Sequence, residues 1–305
     1  MINSPAATRG GVQGRELSEA QLAWLLVLPA LTVVFAIKLF PVGYSLWLSV
    51  HSVSLLNPSS AFVGLANFQR LFESPQFVAS IGRTAYFTIV SLTVQVALGL
   101  SIALLLNQAL PGRALIRAIV LLPWAVPTVV NAVLWQWIYH PSYGALNGIV
   151  VWLDIFDTGV QWLGTETMAM NMVILADTWK MLPLYVVMFL AALQTVPEEL
   201  HQSAAIDGAN AWQRFRYVTF PFLKPMLLVV LVLRTMETFR VFDIIYLLTG
   251  GGPAGGTTVI GYYAYLEAFR NLNFSMGAAV ANVILVSVLM LSAFYLWALK
   301  SDSLD

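Results

Sequence analysis

The sequence predicts an all-α integral membrane protein: six transmembrane helices with a polar elbow between the fourth and the fifth. Three observations carry this. Of 305 residues, 59% are apolar and only 10% are charged, a balance that belongs to membrane proteins. Six apolar stretches, at about 22–50, 84–106, 118–139, 168–193, 222–248 and 276–299, each reach the roughly 20 residues that a bilayer core demands. Between the fourth and fifth of them, Thr195 to Pro225 is too polar to sit in a bilayer. The formal net charge is zero, so no basic surface argues for nucleic acid, and cysteine is absent, which removes disulfides and cysteine-based metal sites or nucleophiles. His51, His140 and His201 are scattered through loops and define no metal site.

Residues 1–19 are polar and are expected to form a disordered N-terminal arm. The apolar run that follows is too long for the core of a signal peptide and lacks a small-x-small cleavage site, so it reads as span one. Lys38 lies late in it, where its stem can snorkel to the interface beside Tyr44 and Trp47. The loop from His51 to Arg83 is punctuated by Pro58, Gly64 and Pro75 and carries an amphipathic piece, Phe68 to Phe72. Span two ends in a short basic turn, with Pro111, Gly112, Arg113 and Arg117. Span three contains Pro123 and Pro127 and should be kinked, since each proline frees a backbone carbonyl. The loop from His140 to Thr167 is aromatic and holds Asp154, Asp157 and Glu166 but no Lys or Arg. Span six closes at Lys300, before a short tail, 301–305.

The elbow has its own signals. Thr195 with Glu198 fits a capping box, with Pro197 inside the first turn and Glu198 and Glu199 at the positive end of the helix dipole. Glycine at 208 permits a left-handed stop after Asp207. Asn210 with Gln213 fits a second capping box, followed by an apolar stripe of Trp212, Phe215 and Val218 that Pro221 would close. Two short helices joined at Gly208 are therefore expected. The glycine run Gly250 to Gly256 invites a phosphate-loop reading but lacks the Gly-Lys-Ser/Thr that a Walker A loop requires, so a flexible turn is expected there. No other stretch offers a nucleotide site, and no carboxylate pair or metal-ligand cluster sits where a membrane enzyme would need one.

Charges within the spans are costly, at least ~2.5–3.5 kcal/mol each on insertion scales, and are expected to face protein or a water-filled cavity. Asp177 and Lys180 share a face of span four, and Arg234, Glu237, Arg240 and Asp243 repeat the same spacing along span five. Two readings fit equally: salt bridges that hold spans four and five together, or contacts to a polar substrate, with Trp135, Trp179 or Tyr185 as aromatic faces for it. Lys and Arg counts orient the chain: Arg9, Arg15, Arg113, Arg117, Arg214, Arg216, Lys224 and Lys300 fall on the elbow side, against Arg70, Arg83 and Arg270 on the other. Both termini and the elbow are thus expected in the cytoplasm.

Aligned on Gly208, the elbow resembles the EAA loop of permease subunits of ATP-binding-cassette importers: Gln202, Ser203 and Ala204, then Gly208, then Val218, Phe220 and Pro221. Pro197 to Leu200 and Asp207 to Ala209 are similar to the carbohydrate branch, the maltose, trehalose and glycerol-phosphate type. So are Leu122-Pro123-Trp124 with Pro127, Trp179-Lys180 with Pro183, and Phe242-Asp243 leading to Gly251-Gly252-Pro253. The resemblance, running from span one to the C-terminus, implies the type I importer permease fold in a prokaryotic inner membrane. It implies that the elbow docks on an ATPase through Glu199, Gln202, Ser203, Ala204, Ala205, Asp207, Gly208, Ala209 and Phe215. Gln202 stands where the family prefers glutamate, which leaves a neutral hydrogen bond in place of a salt bridge. The substrate path implied by the resemblance passes Asp177, Met181, Leu184, Arg234 and Thr238, with Lys180, Tyr185, Glu237 and Arg240 as further candidates. The implied partners are a second, homologous permease, two ATPase subunits that bind ATP and Mg²⁺, an extracytoplasmic substrate-binding protein and a sugar, with no cofactor in this chain itself. The competing reading is a secondary transporter driven by an ion gradient, which has no use for a docking elbow.

Overall fold

The computed structural model describes residues 18–53, 60–108 and 111–300; the arm before Ser18, the 301–305 tail and Pro58 lie outside the described residues. The chain falls into two compact units, one ending at Trp47 and the other running from Leu48 onward. The first unit is most of helix α1, Glu19–Ser49, which opens on a capping box between Ser18 and Gln21 and has no buried residue in its stretch Glu19–Val34. Tyr44 and Trp47 stack one turn apart near its end.

The second unit begins with a small antiparallel hairpin, β1 (His51–Ser52) and β2 (Ala61–Phe62), and the short amphipathic helix α2, Ala66–Glu73. Asn67 of α2 donates to the backbone oxygens of Ser49 and His51, which fastens the hairpin to the helix. Helix α3, Pro75–Leu106, starts well before the boundary at 84 read from hydropathy. Ser74 caps it and Pro75 occupies its first turn, so this proline opens a helix instead of breaking a loop. Its buried face carries a polar stripe, Ser80, Thr84, Thr88, Ser91 and Gln95, whose first two hydroxyls return to the helix's own carbonyls.

Span three is two helices. α4 (Arg113–Ala125) and α5 (Thr128–Ile138) meet at 97°, far beyond a kink. Pro127 offers no N–H and forces Val126 into extended backbone, so the helix stops and restarts at Thr128. The following loop is folded around helix α6, Ala145–Trp152: the Asn147 amide donates to Pro141 and Val160 carbonyls and accepts from Val160 N and Trp162 Nε1.

Helix α7, Glu166–Leu193, is the centre of the unit, with more than half of its apolar window buried. It packs along α3, where Gly99 lets the backbone come close to Tyr185 and Phe189. After the elbow helix α8 (Glu198–Ile206), helix α9 runs unbroken from Ala211 to Phe239. Pro221 does not close it as expected; a π turn over Phe215–Thr219 precedes the proline and the helix continues. Span five then breaks at Arg240, before the position 248 expected for its end, and a short α10, Asp243–Leu248, follows.

The glycine run is not the flexible turn that was expected. Thr249 and Thr257 hydroxyls meet at 2.7 Å, Thr257 Oγ1 donates to the Gly252 carbonyl and Tyr262 Oη to that of Gly250. Helix α11 (Ile260–Tyr265) and the long α12 (Phe274–Lys300) complete the chain. Among the described residues five helices are long and apolar enough to cross a membrane, and the bent pair α4–α5 makes a sixth candidate.

Candidate functional site: an exposed elbow and a buried ion cluster

The elbow is built by two local signals. α8 ends in a Schellman motif: Ala209 N–H donates to the Ala204 carbonyl and Gly208 N–H to that of Ala205, with Gly208 at φ +79°. α9 then opens on the Asn210–Gln213 capping box, at 2.9 and 2.8 Å. The Thr195–Glu198 box does not form. Thr195 turns back to donate its hydroxyl to the Ala192 carbonyl and so closes α7, and α8 begins at Glu198 with Pro197 before it.

Of the residues assigned to docking, Glu199, Gln202, Ser203, Ala205, Asp207 and Gly208 are exposed, while Ala204, Ala209 and Phe215 are half-buried. His201 lies on the inner side, 3.5 Å from the Thr219 hydroxyl, and ties α8 to α9. Three apolar side chains missing from the expected set stand beside them: Ile206 is 87% exposed, Tyr217 71% and Trp212 65%. Their sequence signal is plain, because an isoleucine next to a helix stop and an aromatic pair flanking Phe215 have no core to enter. Beneath the elbow a cavity of about 490 Å³ reaches from Trp212 and Arg214 to Leu104 at the end of α3.

Within the spans, a salt bridge joins span four to span five, one of the two readings of these charges, and the pairing along span five persists beside it. Arg234 of α9, 2% exposed, binds the Asp177 carboxylate of α7 and lies 3.6 Å from Glu237. Tyr185 donates to Glu237 at 2.8 Å, and the Gln95 amide of α3 reaches Asp177 Oδ2 at 3.4 Å and Thr178 Oγ1 at 3.3 Å. Thr88 donates to Thr238, and the Arg234 guanidinium lies over the Phe87 ring. Gln95, Thr88, Thr178 and Phe87 were absent from the expected set; the polar stripe on α3 at three- and four-residue spacing is a sequence signal for Gln95 and Thr88, whereas Thr178 of α7 and the apolar Phe87 carry none.

Lys180 does not join Asp177. Its ammonium donates to Thr128 Oγ1 at 2.9 Å, just past the α4–α5 bend. Arg240 also stays outside: it is exposed where α9 ends, and its Nε donates to the Met236 carbonyl. Met181 packs against the apolar core between α3 and α9, and Leu184 is half-buried. The aromatics separate. Tyr185 is fully buried in the ion cluster, whereas Trp135 and Trp179 meet edge to face at 6.0 Å near Lys180. Beside them Trp135 Nε1 and Asn131 Oδ1 are buried without hydrogen-bond partners among the described residues.

An ion pair this deep needs polar partners around it, and here three helices supply them, although Arg234 Nε and Gln95 Oε1 are buried without hydrogen-bond partners among the described residues. The cluster is thus a fastening between α3, α7 and α9, with Glu237 as its more accessible edge. At the other end of the same helices, Arg83 and Glu166 approach to 3.9 Å beside a cavity of about 620 Å³ that Arg270 and Glu267 also line.

Residues 95–299 match the family described as the binding-protein-dependent transport system inner membrane component. The trehalose/maltose transport system permease protein MalF of Thermococcus litoralis is 43% identical over 91% of this chain and 93% of its own length. The trehalose transport system permease protein SugA of Mycobacterium tuberculosis is 33% identical, over 93% and 90%. Among solved structures, a bacterial ABC transporter involved in the import of the acidic polysaccharide alginate superposes with a TM-score of 0.80 at 25% identity, covering 92% of this chain and 95% of the other. Helical architecture, exposed elbow and sequence agree, and the chain belongs to the family of inner membrane components of binding-protein-dependent transport systems.

Proposed function

We infer that this chain is one permease of an ATP-driven sugar importer, forming half of the translocation path. The observation that carries the reading is the elbow: a two-helix projection, capped at its turn and bare on its outer face, on a chain whose relatives carry trehalose and maltose transport names. It works with a second homologous permease, an extracytoplasmic substrate-binding protein and two ATPase subunits that hold ATP and Mg²⁺. The elbow lies in the cytoplasm and contacts the ATPase through Glu199, Gln202, Ser203, Ala205, Asp207 and Ile206, a helix face suited to a groove. The excess of arginine and lysine on the elbow side supports this orientation, with both termini inside. The substrate is a di- or oligosaccharide or a glycosylated polyol. Trp135, Trp179 and Lys180 supply ring faces and a donor for it, and Glu237 lies at the edge of the ion cluster.

Proteoliposomes holding the assembled complex, with binding protein outside and ATP and Mg²⁺ inside, are expected to accumulate sugar. Omission of ATP abolishes uptake whatever ion gradient is imposed; uptake driven by a sodium or proton gradient alone would overturn the reading.

Gln202 gives a finer test. With an arginine opposite, Gln202→Glu turns a neutral hydrogen bond into a charge-assisted one and strengthens ATPase association by about 1 kcal/mol, roughly fivefold in Kd. Weaker association would show a partner surface adapted to the neutral residue, and an unchanged Kd would place Gln202 outside the contact.

A further inference from the structure

On the elbow side of the membrane a second cavity, of about 280 Å³, opens between the end of α3, the first turns of α4 and the last turns of α7. Its walls are apolar, Val120 and Leu121 from α4 and Val187 and Ala191 from α7, with Gln194 at one end. The charged group in its lining is Arg117. The Nη2 atom of that arginine donates to the Leu106 carbonyl at 3.2 Å, while Nε is buried and has no hydrogen-bond partner among the described residues. Arg113 lies one turn earlier on the same face of α4, exposed, and Gly112 caps the helix, so the positive end of its dipole points the same way. An apolar slot that ends in a guanidinium, a second arginine and a helix N-terminus, with no carboxylate in its lining among the described residues, suits an amphiphile with an anionic head.

We propose that this cavity binds an anionic phospholipid of the elbow-side leaflet, with the phosphate at Arg117 and Arg113 and one acyl chain between α4 and α7. Basic pockets between membrane helices on the cytoplasmic side select such headgroups, and the choice of leaflet rests on the cytoplasmic elbow inferred above. The lipid braces α4 against α7 beside the point where α7 leads into the elbow. A partner protein helix would leave the Arg117 Nε–H unanswered unless it brought an acid of its own.

The test is lipid retention by the complete transporter, purified, delipidated and titrated with phosphatidylglycerol or phosphatidylcholine under native mass spectrometry. Phosphatidylglycerol is retained in preference. Arg117→Gln lowers its retention about fivefold, the effect of one basic residue near a lipid surface. Ala191→Trp fills the slot from the α7 side while Arg117 stays in the sequence, and also lowers retention, so the test survives if Arg117→Gln fails to assemble. Glycerol phosphate in large excess, a headgroup without chains, displaces nothing. Equal retention of the two lipids, unchanged retention in Ala191→Trp, displacement by glycerol phosphate, or a crosslink from Ala191→Cys to the second permease would each overturn the proposal.

Discussion

Arg234→Ala leaves the complex unable to survive purification. The substitution strands the Asp177 carboxylate between α3 and α7 with only the Gln95 amide for company, and it removes the cation beside Glu237. Removing one partner of a buried pair costs about 3–5 kcal/mol, a large part of the stability of any domain. Yield and thermal stability in detergent fall together, and sugar uptake falls with them. The double variant Asp177→Asn with Arg234→Met, which removes both charges and fills the guanidinium's space, recovers most of the lost stability. A single variant that assembles normally, retains basal ATPase activity and fails only in uptake would instead make Arg234 a substrate contact. Wild-type behaviour in every assay would remove both roles.

Gly208→Val gives the second large effect and a different signature. Gly208 sits at φ +79°, and a Cβ added there meets no atom within 4 Å, so the fold itself has room for a side chain. The penalty is purely conformational: a left-handed residue with a Cβ costs roughly 1–2 kcal/mol, and β-branched valine is the worst case. The permease inserts and folds, but the turn between α8 and α9 opens, and the outer face no longer matches its groove. ATPase co-purification drops and uptake is lost while detergent stability stays near wild type. Gly208→Asn, which tolerates the left-handed region, retains most function. If Asn and Val behaved alike, the backbone conformation would not be the cause.

Local chemistry was legible in the sequence wherever neighbours in the chain decide the outcome. Glycine at 208 stops α8, Asn210 and Gln213 cap α9, and the apolar runs become long helices because a bilayer leaves backbone groups no other partner. What stayed hidden depends on residues far apart in sequence. Arg234 has an acid three residues away and another 57 residues earlier, and only the packing of α7 on α9 shows that Asp177 takes the direct contact. Lys180 likewise left its neighbour for Thr128, which the α4–α5 bend delivers. Prolines misled for a related reason. The same residue opens α3 at Pro75, follows a π turn in α9 at Pro221 and separates α4 from α5 at Pro127. Which of these happens depends on whether another group takes the carbonyl that the missing N–H leaves free. Thr195 fits a cap by spacing, yet the tight turn out of α7 claims its hydroxyl first.

Because α9 runs without interruption from Ala211 in the elbow to Arg234 in the ion cluster, the two ends are joined by one rod roughly 35 Å long at 1.5 Å per residue. A rod transmits torque. A tilt of a few degrees imposed where Trp212 stands displaces the backbone at Arg234 by about 2–3 Å at that arm length, more than the Asp177 contact can stretch and still hold. The π turn at Phe215–Thr219, one helical turn from the elbow end and a little before Pro225, departs from regular α-helical hydrogen bonding in the shaft. Stiffening it would sharpen the stroke that reaches the bilayer centre, and loosening it would let the elbow move while the centre stays still.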